Sequence, residues 1–474
     1  MNRFRKTGCS THAVLAVAIA TMAIACTDNG PPDDLFTAPD PEAPSRSGKP
    51  DPAPAPAPAP APASPEEGPE PIPTDPPGDI PPTPGNVGGG LDASFGAGGK
   101  LLFATPVGAS FVAVTPDARL VAASSNGNFV LDRYMSTGVA DASFGAGGRI
   151  TTDIGGNQDL ARAAIFQGDG KMLVGGECSN GVRQMFCVAR YHASGILDNA
   201  FDGDGKLMTY IPYDSGVTAL ATHPNGRIVA AGTLDDSLVS TTHLWAVSRY
   251  TAAGALDKTF DGDGIVGLDF PGFTGAPLAT FAAADGSVLV AGSLTPNATP
   301  PRSRMAIFRL GANGVRDASF GANGRVIVEM GPQANEARAL AVQSDGKIIL
   351  LGNESAVGGG IVRLNVNGTV DAAYGLDGSV RDLPQAKWKT ALFQPDGKLL
   401  VAGYATSSGT RDFVVARITT TGQPDPTFGA MGWVQTDFGR NEEPDQIRIT
   451  ASGKLLVIGR DTAARRVMAA QYEL

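Results

Sequence analysis

The sequence predicts an all-β fold: a seven-bladed β-propeller of four-stranded antiparallel blades, with the ring closed by the N-terminal strand of the folded part. Three observations predict it. An aromatic preceded by Asp three residues earlier returns at Phe95, Phe144, Phe201, Phe260, Phe320, Tyr374 and Phe428, at intervals of about 49 to 60 residues, the length of a propeller blade. A polar-Gly turn followed by an apolar run recurs between these aromatics, as in Asp169-Gly170-Lys171, Asn225-Gly226-Arg227, Asp285-Gly286-Ser287, Asp345-Gly346-Lys347, Asp396-Gly397-Lys398 and Ser452-Gly453-Lys454. Each unit also holds apolar runs of about five residues, rich in Val and Ile and bounded by Gly and Asp, which read as buried strands. Rings of such units leave only short, protected edges. A β-solenoid is the competing architecture, but its repeats are much shorter.

The chain opens on a segment, residues 1–26, with Arg3, Arg5 and Lys6 ahead of an apolar stretch from Ala13 to Ala25. That stretch, of about 13 residues, suits a secretory signal and is too short to span a bilayer. It ends Ala23-Ile24-Ala25-Cys26, which resembles a bacterial lipobox. The resemblance implies that Cys26 is acylated and becomes the mature N-terminus, making the lipid bilayer a partner; several acyl chains anchor firmly where one does not. The competing reading is an ordinary cleaved signal with an incidental Cys.

Residues 27–90 are dominated by Pro, Ala, Gly and acidic residues, with alternating Pro-Ala from Pro52 to Ala63. Such composition has little apolar surface to bury and is expected to be a disordered Pro-rich linker. Extended polyproline at about 3.1 Å per residue would hold the following domain away from a membrane. Residues 91–474 form the folded part. A net charge of −10 and a pI near 5.0 argue against a nucleic-acid partner, which calls for a basic patch. A monomer is expected.

A third recurring element is an apolar strand ending in Arg, eight residues before the motif Asp. The pairs are Arg133 and Asp141, Arg190 and Asp198, Arg249 and Asp257, Arg309 and Asp317, Arg363 and Asp371, and Arg417 and Asp425. A catalytic pair would occur once, so these read as structural bridges from a third strand to the following turn. The last unit has Gln471 instead, and the folded part opens with Asp92 followed by a lone strand candidate, Lys100–Phe103. Lys100–Phe103 is therefore expected to supply the outer strand of the final blade, bringing Asp92 near Gln471. In the first unit Asp117-Ala118-Arg119 replaces the Gly turn, which puts a tight two-residue hairpin in doubt there, since both of its central residues need positive φ.

Two of the four cysteines, Cys9 and Cys26, lie in the signal region; Cys178 and Cys187 flank one turn between two strands. They are expected to form a disulfide, which an exported protein would keep. The alternative is two reduced buried thiols.

The blade plan resembles that of NHL-type propellers. By that resemblance the strand before the Gly turn, for example Arg338–Gln343, lines the central channel; Lys347–Gly352 is second, Ile361–Leu364 third and Ser379–Leu383 outermost. The combination Leu-Asp-x-x-Phe-Gly-x-x-Gly-Lys and Asp-Gly-Lys-x-Leu-Val-x-Gly resembles the delta-60 repeat family of bacterial exported proteins. This implies a propeller-like extracytoplasmic protein and carries over no catalytic residue; together with the lipobox at Cys26, the expected location is the cell envelope, lipid-anchored at the outer membrane or cell surface. Ala118, Gln471, Asp202 and Asp261 depart from its pattern.

Chemistry-bearing clusters are sparse. No metal site is assigned, but Asp202 and Asp204, and likewise Asp261 and Asp263, alternate with Gly and are the calcium candidates. They also stand where other units carry plain turn residues. His192, His223 and His243 lack a nucleophile motif, no cofactor is expected, and the chain is expected not to be an enzyme. In this strand order the loops joining strands two and three, and outer strand to next inner strand, share one face and vary most. Functional residues concentrate in variable loops on a rigid scaffold, so that face is the expected site for a protein or glycan ligand. Trp388, Tyr213, Phe273 and Arg304 are its candidate anchors, because aromatics and Arg dominate hot spots. The expected role is a membrane-anchored binding or interaction module. The alternative is a surface polysaccharide hydrolase or lyase on the same scaffold.

Overall fold

The computed structural model describes residues 88–103, 109–156, 158–235, 243–299, 301–355, 358–381, 383–407 and 409–474. Cys26, the signal segment and nearly all of the linker lie outside them. The described residues form seven antiparallel four-stranded sheets and no helix. Six blades are continuous in sequence, beginning at Phe111, Leu160, Asp214, Phe273, Asn335 and Ala386. The seventh joins Glu442–Ile449, Leu455–Asp461 and Val467–Tyr472 to the N-terminal strand Lys100–Leu102. The first strand of each blade contacts the first strands of the blades on either side, around the full ring.

Ring closure follows the expected route. Lys100 pairs with Ala470 and Leu102 with Met468, while Phe103 N–H continues the ladder to the Val467 carbonyl. Asp92 N–H donates to the Gln471 carbonyl at 2.8 Å. Gln471 brings no guanidinium, and the Lys454 ammonium takes the charge instead, 3.1 Å from Asp92.

The Gly turns differ from expectation. Gln167 accepts from Gly170 N–H and donates to the Lys171 carbonyl, and only the Gly of the pair has positive φ. This is a type I turn followed by a glycine in the left-handed region, a three-residue hairpin loop with a bulge rather than a primed two-residue turn. Only one position needs positive φ, so the first blade makes the same turn with Ala118 at φ 62°. There the Thr115 hydroxyl bonds Asp117 and receives the Arg119 N–H. The fourth strand of the fifth blade is also shorter than expected, ending at Val380.

Six of the seven inner strands carry a β-bulge, at Arg162, Thr218, Leu278, Arg338, Lys389 and Asp445. A bulge re-aims the extra side chain and bends the strand. Each lies beside the glycine that ends the second-strand motif. A Cβ on Gly176, Gly232, Gly403 or Gly459 would stand 1.8 to 2.3 Å from a carbonyl oxygen of the bulged strand. Gly at this position is thus needed for close approach of two backbones. The first blade has Ser124 where the others have Gly, and its inner strand has no bulge.

Blades are cemented at the turn face. The motif aromatics are buried, and each Arg stacks on one, as Arg249 does on Phe260 at 4.4 Å and Arg363 on Tyr374 at 4.1 Å. In the first five blades the residue after the motif aromatic donates its N–H to the next blade, as Asp202 to Ala253 O and Gly321 to Asn367 O. Tyr191, Tyr250 and Tyr472 hydroxyls reach back to Thr152, Thr209 and Thr436 of the preceding blade at 2.7 to 2.9 Å. Cys178 and Cys187 form a disulfide between diagonal positions of one hairpin, with Cα atoms 5.9 Å apart.

Candidate functional site

On the variable-loop face, the inner strands Asn335–Val342 and Ala386–Phe393 open a cavity of about 210 Å³ lined by Glu336, Arg338, Asn353, Ser355, Lys387, Lys389 and Tyr404. Arg338 and Lys389 are the bulge residues of their strands, so the bulge delivers two cations to neighbouring points of the wall. Arg338 pairs with Glu336. Lys389 Nζ lies 3.0 Å from Glu443 on the next inner strand, and Arg411 pairs with the same carboxylate while stacking over Tyr404 at 4.7 Å. Asp445, the bulge residue of the seventh blade, sits 3.2 Å from Arg460; burial pushes its carboxyl up to about 6, against the pull of Arg460 and Lys389.

Lys387 differs from its neighbours. Its Nζ donates to the carbonyls of Glu354 and Ser355 at 2.5 and 3.2 Å. Among the described residues no carboxylate forms a contact ion pair with it. Burial lowers its pKa; Glu336 opposes that effect and Arg338 adds to it. An ammonium so placed gains from an incoming anion, because opposite charge within about 4–6 Å favours the charged form. The cavity is thus lined by three cations and one carboxylate, an arrangement suited to holding an anionic group beside an aromatic ring.

The sequence-predicted anchors do not line this cavity. Trp388 is corrected: it lies between Lys387 and Lys389, but alternation along a strand turns it the other way. It is fully buried in the core between the fifth and sixth blades, where its backbone exchanges hydrogen bonds with the Asn353 amide at 2.8 and 3.0 Å. Tyr213 and Phe273 are partly buried against blade cores, and Arg304 pairs with Glu329 at 2.8 Å. The calcium candidates close turns. Asp204 and Asp263 accept the N–H groups of Lys206 and Ile265, each at 2.9 Å, and Asp202 and Asp261 occupy positive-φ positions at 52° and 53°. The six repeated Arg–Asp pairs stand 2.7 to 2.8 Å apart at the turn face.

Sequence reasoning missed Arg338, Lys387 and Lys389 because it weighted aromatics. One available signal was the glycine closing each second strand, whose recurrence marks the bulge opposite it.

With this geometry in hand, comparisons locate the chain among known proteins. The family described as "Domain of unknown function (DUF5122) beta-propeller" matches residues 167–201, 283–320, 343–374 and 394–428. The family "WD domain, G-beta repeat" matches residues 205–239. Both support a β-propeller repeat family. Comparison with curated proteins finds no match. Similar solved structures include a polysaccharide lyase, an ulvan lyase bound to a glucuronic acid–sulfated rhamnose unit, at 9% identity and TM-score 0.40, covering 66% of this chain and 80% of that one. Another is the polysaccharide lyase Uly1, at 12% identity and TM-score 0.43, covering 76% of this chain and 89% of that one. Both neighbours are lyases, which runs against the expectation that the chain is not an enzyme. A likeness this distant assigns no reaction and no catalytic residue to this chain.

Proposed function

We propose that the protein is an envelope-tethered binding module that takes an acidic glycan at the mouth of its channel. The observation that carries this reading is the Lys387 ammonium, partly buried in the cavity and held by carbonyls rather than by a carboxylate. Arg338 and Lys389 flank it, and Tyr404 lines the same wall. The lipobox-like Ala23-Ile24-Ala25-Cys26 and the Pro-Ala tract behind it support a lipid anchor and spacer, as does the resemblance to delta-60 exported proteins. The disulfide suits an oxidising compartment outside the cytoplasm.

The test is calorimetric titration with uronate-bearing or sulfated oligosaccharides against neutral ones of equal length. Acidic probes bind, binding weakens with salt, and Lys387→Ala and Arg338→Ala each reduce affinity by about tenfold, the equivalent of 1.4 kcal/mol. Equal affinity for neutral probes, or indifference to both substitutions, overturns the reading. Ultraviolet absorbance of the same samples reports whether a bound probe is also cleaved. Incorporation of labelled palmitate, lost in Cys26→Ser, tests the anchor.

A further inference from the structure

A second site lies where the sixth blade meets the seventh, and it is independent of the anionic-ligand reading. Asp412 sits on the third strand of the sixth blade, Asp437 just beyond its fourth strand, and Glu442 at the first residue of the seventh. One carboxylate oxygen from each lies within 4.8 Å of one from each of the others. Asp412 and Glu442 are almost wholly buried, with 4% and 0% of their surface accessible, while Asp437 is exposed.

Each carboxylate spends one oxygen on the protein. Asp412 Oδ2 accepts from the Gln435 amide at 2.6 Å, Asp437 Oδ1 from Gly439 N–H at 2.5 Å, and Glu442 Oε1 from Arg440 N–H at 2.8 Å. The remaining buried oxygens, Asp412 Oδ1 and Glu442 Oε2, have no hydrogen-bond partner among the described residues. Buried carboxylates left this way are costly. Nearby cations do not relieve them. The Lys100 ammonium is engaged with the Asp437 backbone carbonyl at 2.9 Å, and the Arg440 guanidinium is directed to Asp461 at 3.5 Å.

We propose that Asp412, Asp437 and Glu442 bind a divalent cation of the calcium type. Three hard oxygen donors suit calcium, whose oxygen ligands stand at about 2.3–2.6 Å; two of them can therefore be up to about 5.2 Å apart on one ion, whereas magnesium demands a tighter, more regular shell. The exposed Asp437 gives the ion its route in and leaves coordination positions for water. The residues come from two blades, so the ion clamps their junction and the segment 437–442. Glu443, next in the chain, anchors Lys389 and Arg411.

The alternative is that the two buried carboxylates share a proton. The experiment separates them: calcium is titrated into the chelator-treated full-length protein at about pH 8, followed by calorimetry and thermal melting. A single saturable heat and a rise in Tm of several degrees are expected, both lost in Asp437→Asn and in Asp412→Asn. Asp437 is exposed, so its substitution leaves the fold intact. Magnesium at the same concentration gives a smaller shift. No heat and no shift in the unsubstituted protein, an unchanged response in both variants, or a larger response to magnesium overturns the proposal.

Discussion

Arg417 Nε lies 2.8 Å from Asp425 Oδ2, with both side chains about 5% exposed, and the Lys398 ammonium reaches the same oxygen at 2.9 Å. Five blades share this three-residue knot, which ties the first hairpin turn, the third strand and the following motif turn. The fourth blade has Ser287 in place of the second cation, and its Asp317 is 30% exposed. Removing Arg417 leaves the buried Asp425 with the Lys398 ammonium alone, so the loss falls at the low end of the about 3–5 kcal/mol that a stranded buried charge costs. Arg417→Ala is therefore expected to cost about 3 kcal/mol or more, and Arg309→Ala about 1 kcal/mol, closer to an exposed pair. Urea unfolding of the two variants checks the order.

Acidification reads the same knots. In Asp141, Asp198 and Asp257 burial raises the pKa, but hydroxyl or ammonium partners, backbone N–H groups and the Arg outweigh it and hold each below the usual 3.8; in Asp371 the Lys347 ammonium leads the lowering. A folded pKa below the unfolded one contributes stability that is complete above 3.8 and is lost as pH falls through the folded values. Glu442 runs the other way. Burial pushes it from 4.5 to about 7, with Arg440 N–H opposing and Asp412 and Asp437 adding. Its protonated form is favoured by folding, so stability is lost as pH rises from 4.5 through about 7. Melting in chelator is expected to show Glu442→Gln more stable than the unsubstituted protein at about pH 8 and equal to it at about pH 4.

The glycine opposite each bulge has no room for a methyl group. In Gly459→Ala the new Cβ would meet the Glu443 carbonyl oxygen at 2.0 Å. Both atoms belong to paired backbones, so the strand cannot yield cheaply. A loss above about 2 kcal/mol is expected, within the range of strained core substitutions. Ser124→Gly in the bulge-free first blade is expected to cost under about 1 kcal/mol, the usual penalty of Gly in regular structure. Chemical denaturation compares the two.

Closing the ring with Lys100–Leu102 protects the edge strand Val467–Tyr472. A chain beginning at residue 104 would expose that edge, and exposed edges pair with other chains. Such a truncation is expected to melt lower and to elute as oligomers in size-exclusion chromatography, whereas a chain beginning at residue 88 elutes as one species.

The Cys178–Cys187 bridge closes a loop of about ten residues, for which chain-entropy arguments give about 2–3 kcal/mol. Joint substitution of both cysteines by Ala is expected to lower stability by that amount or less. Comparing its melting with that of the oxidised and reduced parent tests this.

The recurrence of Asp-x-x-Phe, the Gly turns and the Arg eight residues before each Asp determined the architecture, down to the seven blades and the strand that closes them. These features are local, and each copy repeats the same backbone demand, so one-dimensional spacing is enough to read them. Even Gln471 announced its place, because it is the one copy with no Asp downstream. The cavity between the fifth and sixth blades was not legible in this way. Arg338, Lys387 and Lys389 are ordinary charged residues in their own strands, and only bulges on adjacent blades bring them to one cavity. Trp388, conspicuous in the sequence, is turned inward by strand alternation. Asp412, Asp437 and Glu442 come from two sheets and share no motif. Their proximity exists only once the blades pack, because a ring joins edges whose separation along the chain carries no record of their distance in space.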